Sequence, residues 1–151
     1  MKPVIEHSTA SPDQVWSVLS DGWLYSSWVV GAARIRQVDA GWPAAGTRIH
    51  HSVGAWPALL DDKTWVRRID TTSPDATTLE LSAAAWPFGR ARVVVTVRPD
   101  PDGTQLEMVE HAETPPMSWL PDEVQHLAMA PRLRECLRRL ASMAEGVDRK
   151  A

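Results

Sequence analysis

The chain has one cysteine (Cys136), one tyrosine, one phenylalanine and no long apolar run. A lone thiol makes no internal disulfide and no CxxC metal pair, so neither covalent staples nor a cysteine-bound zinc hold the fold. No apolar stretch approaches the roughly 20 residues that cross a bilayer as a helix. The opening residues Met1, Lys2, Pro3, Val4 and Ile5 lack the apolar core of a secretory leader. Together these absences lead to the expectation of a cytoplasmic protein with no membrane span. An excess of one charge is missing too: 16 Lys and Arg face 19 Asp and Glu, for a net charge of −3. The basic residues are scattered, which excludes the footprint of a nucleic-acid binder. There is no Walker loop, no dinucleotide GxGxxG and no GxSxG elbow, and nothing calls for a cofactor.

What is present is globular. Apolar residues make up 44% of the chain and charged residues 23%, outside the disordered regime. The length of 151 residues suits a single domain, read as 1–146 with a frayed tail at 147–151. Eight tryptophans stand out against the single Tyr and Phe. Trp is bulky and amphipathic, and serves both core filling and the walls of a ligand site.

Periodicity orders the elements. Residues 4–9 read as a first strand. Ser11, Pro12 and Gln14 then form a helix start, with a Ser cap, Pro at the first position and a capping box. Asp21 and Gly22 end this short helix, and a second runs over 23–29. From residue 32 the period changes to two, with strands expected at 33–39, 47–53, 64–71, 77–84, 90–98 and 104–112. Pro, Gly and Asp punctuate the short connections, which favours antiparallel pairing. A long amphipathic helix follows, with Leu133, Leu137, Leu140 and Ala144 on one face, and Ala130 and His126 on its backward continuation. Pro131 is expected to kink or restart it. The fold class is therefore α+β: a curved antiparallel sheet of about seven strands around a long C-terminal helix, with two short helices after the first strand. A curled sheet wrapped on one helix leaves a hollow between them.

That order resembles the START and birch-pollen-allergen-like helix-grip superfamily, the group of polyketide cyclases/dehydrases and lipid-transport proteins. The resemblance is carried by Asp21-Gly22-Trp23-Leu24-Tyr25-Ser26-Ser27-Trp28-Val29-Val30-Gly31, by Gly41-Trp42-Pro43-Ala44-Ala45-Gly46 and by His50-His51-Ser52-Val53-Gly54. It looks like a small stand-alone bacterial member of an actinobacterial type. The resemblance implies an internal cavity for apolar ligands such as polyketides, lipids, sterols or quinones, and no particular activity.

Alternation and turn parity then nominate residues. In a meander the Trp56-Pro57 and Trp86-Pro87 turns fall at the same end as the loop carrying Trp119, with Trp28 and Tyr25 approaching from the short helices. Inward faces are read as Ile49, His51 and Val53; Leu79, Leu81 and Ala83; Val93, Val95 and Val97; and Leu106, Met108 and Glu110. The 64–71 strand admits either face. Trp65, Arg67 and Ile69 are taken as inward, and a bulge would reverse that choice. The ligand-site set is thus Tyr25, Trp28, His51, Trp56, Trp65, Arg67, Trp86, Glu110, Trp119 and His126. A buried carboxylate or imidazole needs a partner, and a Glu110–Arg67 pair is one way to supply it. His51 and Glu110 are the candidate acid and base if the protein is an enzyme of the cyclase/dehydrase type. The adjacent His50 and His51 point to opposite strand faces, so no metal site is expected. Three functions stay open: a binder of a small apolar molecule, such an enzyme, or a ligand-free interaction module, as monomer or homodimer.

Overall fold

The computed structural model describes residues 2–55, 57–84 and 89–147. Seven strands lie in one antiparallel sheet: β1 Val4–Ser8, β2 Ala32–Val38, β3 Arg48–Ala55, β4 Ala58–Asp70, β5 Thr77–Ala84, β6 Arg90–Asp100 and β7 Gly103–Ala112. Their order across the sheet is β1-β7-β6-β5-β4-β3-β2. Six strands form a simple meander. β1 sits at the far edge beside β7, because α1 (Pro12–Leu19) and α2 (Tyr25–Trp28) carry the chain across the sheet before β2 begins. The long α3, Asp122–Gly146, packs on the concave face. None of the described helices is long and apolar enough to cross a membrane.

Local chemistry explains the short helices. The Ser11 hydroxyl accepts from the Gln14 amide at 3.2 Å, and Gln14 Oε1 accepts from the Ser11 amide at 2.8 Å. Two otherwise orphaned amides are thereby satisfied. α1 turns Val15, Val18 and Leu19 into the core. The expected second helix over 23–29 is instead a 3-10 turn, Gly22–Leu24, followed by the single turn of α2. Asp21 caps the 3-10 turn through the Trp23 amide.

β4 is longer than its pattern indicates, starting at Ala58 rather than Thr64. Residues 58–61 are exposed, and the β3–β4 hairpin projects past the core with pairing out to Ala55 and Ala58. With water on both faces, alternation carries no signal there. A register shift between Val66 and Arg68 also reverses the side-chain parity along the strand. Thr64 and Val66 therefore face the core, and Ile69 returns to the side of its partner Leu79. The inward assignments of Trp65 and Arg67 are corrected by this bulge.

α3 runs unbroken through Pro131. Pro131 and Leu127, the residue four back, are both exposed, so the missing backbone bond falls on the solvent side where water serves the carbonyl. Its buried face is Gln125, Leu133, Cys136, Leu137, Leu140, Ala141 and Ala144. The face expected to continue through His126 passes instead through Gln125, with His126 half-buried beside it.

One turn shows how tightly β1 closes on the sheet. Gly103 has φ +145°, and a Cβ there would lie 2.2 Å from the Ser8 carbonyl oxygen and 2.9 Å from Thr9 Cα. Gly46 also has positive φ (+86°) but nothing within 4 Å of a built Cβ. Gly103→Ala is therefore expected to destabilise by about 3 kcal/mol or more, through backbone displacement. Gly46→Ala is expected to cost only about 1 kcal/mol of left-handed strain. Urea unfolding of the two variants measures the difference, and equal losses would contradict the close approach.

Candidate functional site

The middle of the sheet–helix interface is filled. Leu79, Leu81, Val95 and Leu106 from the sheet and Leu133, Leu137 and Leu140 from α3 are at most 2% exposed. Toward the end of the sheet bearing the β3–β4 hairpin, the inward side chains change character. One row across the sheet reads Val66, Leu81, Val93 and Glu110, and the next reads Thr64, Ala83, Ala91 and Ala112. Bulk falls to alanine just where polar groups appear.

Four elements place a buried polar and aromatic cluster at that end. α2 contributes Tyr25 and Trp28, both buried, with their rings edge to face at 5.5 Å. β3 contributes His51, whose ring lies 5.7 Å from that of Tyr25. β4 contributes Thr64, whose hydroxyl lies 2.9 Å from His51 Nε2 and 3.4 Å from the Tyr25 hydroxyl. β7 contributes Glu110, 4% exposed, whose carboxylate accepts a hydrogen bond from Arg132 of α3. Arg132 also donates to the Val30 carbonyl at 2.8 Å, and the Val30 amide donates to Cys136 Sγ at 3.3 Å. The end of α2 is thus tied to α3 by two contacts at one residue. α2 itself is a single turn with no side-chain cap.

Burial dominates the proton equilibria. It pushes the Tyr25 phenol up to about 12, against a smaller opposing effect of its Thr64 hydrogen bond, so the phenol stays protonated. It pulls His51 below the usual histidine value; Asp62 opposes this, Arg36 adds to it, and the ring is neutral at neutral pH. Burial likewise raises the Cys136 thiol, so this cysteine is a small buried apolar group and not a nucleophile. For Arg132 burial alone would lower the guanidinium's value, but it is raised overall, with attraction to Glu110 the largest opposing cause. His51 Nδ1 is buried without a hydrogen-bond partner among the described residues, and the Ser52 backbone beside the ring favours its charged form.

Of the residues nominated from sequence, Tyr25, Trp28, His51 and Glu110 come together here. Trp65 and Arg67 lie on the convex face. Arg90 sits 4.6 Å above the Trp65 ring, and Arg67 pairs with Glu113 and approaches Glu80. The partner of Glu110 is accordingly Arg132 and not Arg67. Trp119 is 77% exposed, beside exposed Leu120, Val124 and Leu127, so it does not line the cluster. His126 is displaced by Gln125, which accepts from the Ala112 amide and donates to the Leu120 carbonyl, seating the start of α3 on the end of β7. Trp56 and Trp86 lie outside the described residues. Among the described residues, no group of three or more His, Cys, Asp or Glu is placed to hold a metal ion.

Two residues of the cluster escaped sequence reasoning. Arg132 stands one helical turn before Cys136 at the edge of the apolar stripe, and that i, i+4 row was the available signal. Thr64 was hidden by the bulge that follows it. Two open surface clefts border described residues elsewhere on the molecule. One, of about 400 Å³, is bordered by His7, Asp100, Gln105 and Glu145; the other, of about 510 Å³, by Ser27, Glu135, Arg138 and Arg139. Neither is bordered by Tyr25, His51 or Glu110.

The Glu110–Arg132 pair yields a test. Arg132→Met leaves a buried carboxylate without its cation and is expected to cost about 3 kcal/mol, the low end of the range because Arg132 is partly exposed. The double variant Glu110→Leu/Arg132→Met is expected to recover most of that loss. Urea unfolding of both decides, and equal destabilisation would show that packing, not charge, holds the contact.

Comparison with known proteins agrees with this architecture. The family model described as polyketide cyclase / dehydrase and lipid transport matches residues 4–145. No curated protein matches the chain. Among solved structures, a Rhodobacter sphaeroides protein is similar at 23% identity, over 95% of this chain and 91% of the other, with TM-score 0.68. A STAR-related lipid transfer protein of Xanthomonas axonopodis is similar at 21% identity, over 93% and 82%, with TM-score 0.68. Ara h 8.0201 is similar at 13% identity, over 95% of each chain, with TM-score 0.65. The likeness to these structures lies in the fold alone, whereas the family model spans nearly the whole chain: the protein belongs to the polyketide cyclase / dehydrase and lipid transport family.

Proposed function

We propose that the protein binds a small, mostly apolar molecule, polyketide-, lipid- or sterol-like, between the sheet and α3 at the end marked by Tyr25, Trp28, His51 and Thr64. One observation carries this reading. The concave face gives up bulk at Ala83, Ala91 and Ala112 beside an aromatic wall and one uncommitted buried polar atom. Apolar walls with a few oriented polar groups are the usual composition of a small-molecule site. The family description and the lipid-transfer title of the Xanthomonas relative support the same class of ligand.

The packed middle of the interface sets a condition on binding. Leu133, Leu137 and Leu140 leave no room there, so the ligand gains its space at the wall formed by α2, one uncapped turn held to α3 at Val30 and to the core by buried Tyr25 and Trp28. Glu110 is engaged by Arg132, which leaves His51 as the one acid–base candidate for a catalysed step. The lone Cys136 thiol is compatible with the reducing cytoplasm, where we place the protein.

A panel of polyaromatic, sterol and fatty-acyl compounds, screened by shift of the unfolding midpoint, tests the proposal. At least one class is expected to stabilise, by about 2.7 kcal/mol at a ligand concentration one hundredfold above Kd. Ala112→Leu, which fills the small row, is expected to abolish that shift while the variant itself folds. Absence of a shift across the panel, or an undiminished shift in Ala112→Leu, would contradict the site.

A further inference from the structure

The outward face of α3 carries an apolar surface that ligand binding on its inner side does not use. Val124, Leu127, Ala128 and Pro131 recur at the i, i+3, i+4, i+7 spacing that lines one side of a helix. All four are exposed, Leu127 at 79%. Trp119 and Leu120 extend the surface just before the helix begins. The outward side of a helix packed on a core is ordinarily polar. On α3 that side turns polar only from Arg134 onward. Single apolar residues on a surface are common, but a contiguous stripe marks an interface.

Two gradients run along the stripe. The first is charge. Asp122 and Glu123 stand at its N-terminal end, where the imidazole of His111, 3.6 Å from Asp122, is the only ion-pairing partner among the described residues. Arg134 and Arg138 stand at its C-terminal end and share one carboxylate, that of Glu6, at 3.9 Å and 3.3 Å. One end thus has negative charge to spare and the other positive. The second gradient is size. Branched Val124 and Leu127 lie toward the acidic end, compact Ala128 and Pro131 toward the basic end.

A second copy of the same face, turned end for end, matches both gradients. In the antiparallel register that sets Leu127 opposite Ala128, Val124 falls opposite Pro131, so each branched side chain meets a compact one. The same register brings Arg134 opposite Pro121, beside Asp122 and Glu123. We propose that the protein pairs with a second copy of itself through the outward face of α3, with Leu127 near the twofold axis and Glu123 facing Arg134 of the other copy at both ends. A twofold interface requires a self-complementary patch, and this stripe is one. The Leu127 carbonyl, which Pro131 leaves without a helical donor, keeps a bridging water. A lipid surface fits less well, because anionic headgroups would meet Asp122 and Glu123 at the rim. The pairing does not depend on the binding reading, since the buried face of α3 is the opposite one.

Sedimentation equilibrium of the full chain over a range of concentrations tests it. A dimer with a micromolar dissociation constant is expected, at the weak end for specific interfaces. Leu127→Glu, at a position already in water in the monomer, is expected to weaken pairing at least about thirtyfold while the chain still folds. Glu123→Arg and Arg134→Glu are each expected to weaken it roughly tenfold by setting like charges together. The double variant Glu123→Arg/Arg134→Glu is expected to restore the dimer. Within one chain the two positions lie about 16 Å apart along the helix, beyond the screening length of about 8 Å at physiological salt. Restoration therefore reports a contact between copies. A monomer at every concentration, pairing that survives Leu127→Glu, or a double variant no better than the singles overturns the proposal. So does a chain that stays monomeric but binds phosphatidylcholine vesicles through Leu127, which would assign the stripe to a membrane.

Discussion

The contact on which everything else depends is the apolar stripe of α3 against the concave sheet. Leu133, Leu137 and Leu140 are essentially removed from water, and each such side chain is worth about 2 kcal/mol of transfer free energy. α3 lies against β1 and β7, and Val15, Val18 and Leu19 of α1 complete the same core beside β6 and β7. This one interface orders the sheet's curvature, the placement of β1 beside β7 and the route of the short helices across the opening. It also divides the molecule functionally. Where the stripe is leucine the interior is closed, and where it gives way to Cys136 and Arg132 polar groups enter.

The polar end follows from that division. Glu110 continues the row of Val93 and would be an uncompensated buried charge were Arg132 not one turn along α3 from Cys136. Arg132 in turn reaches the Val30 carbonyl, so satisfying the carboxylate also secures α2. Tyr25 and Trp28 are held over His51 and Thr64 as a consequence. The same ionic contact that makes the buried carboxylate tolerable therefore fixes the aromatic wall of the candidate site. That wall is secured by the Arg132 and Cys136 contacts at Val30 together with the burial of Tyr25 and Trp28 in the core.

The fold was legible because its signals are local and redundant. The Ser11–Gln14 box marked α1, period-two alternation marked β5 to β7 closely, and the leucine spacing marked α3. What could not be read has physical causes. The β3–β4 hairpin runs beyond the core with both faces wet, so alternation vanishes at residues 58–61. The bulge after Val66 inverts parity, which put Trp65 and Arg67 on the wrong face and concealed Thr64. Gln125 displaced His126 because the end of β7 needed an acceptor for the Ala112 amide, a tertiary demand with no local trace. Of the site, the individual members Tyr25, Trp28, His51 and Glu110 were visible as odd residues on apolar faces. Their connections were not, since Arg132 and Thr64 meet them only through the packing of α3 and β4.

The central claim is that an apolar molecule lodges between α2 and the sheet, against the alanine row. Proton–proton Overhauser contacts between a bound polyaromatic and the assigned side chains of the protein locate it directly. The account predicts contacts to the rings of Tyr25 and Trp28 and to the methyl groups of Thr64, Ala83 and Ala112. Contacts confined to Trp119, Val124 and Leu127, or to the convex face around Trp65, would contradict it.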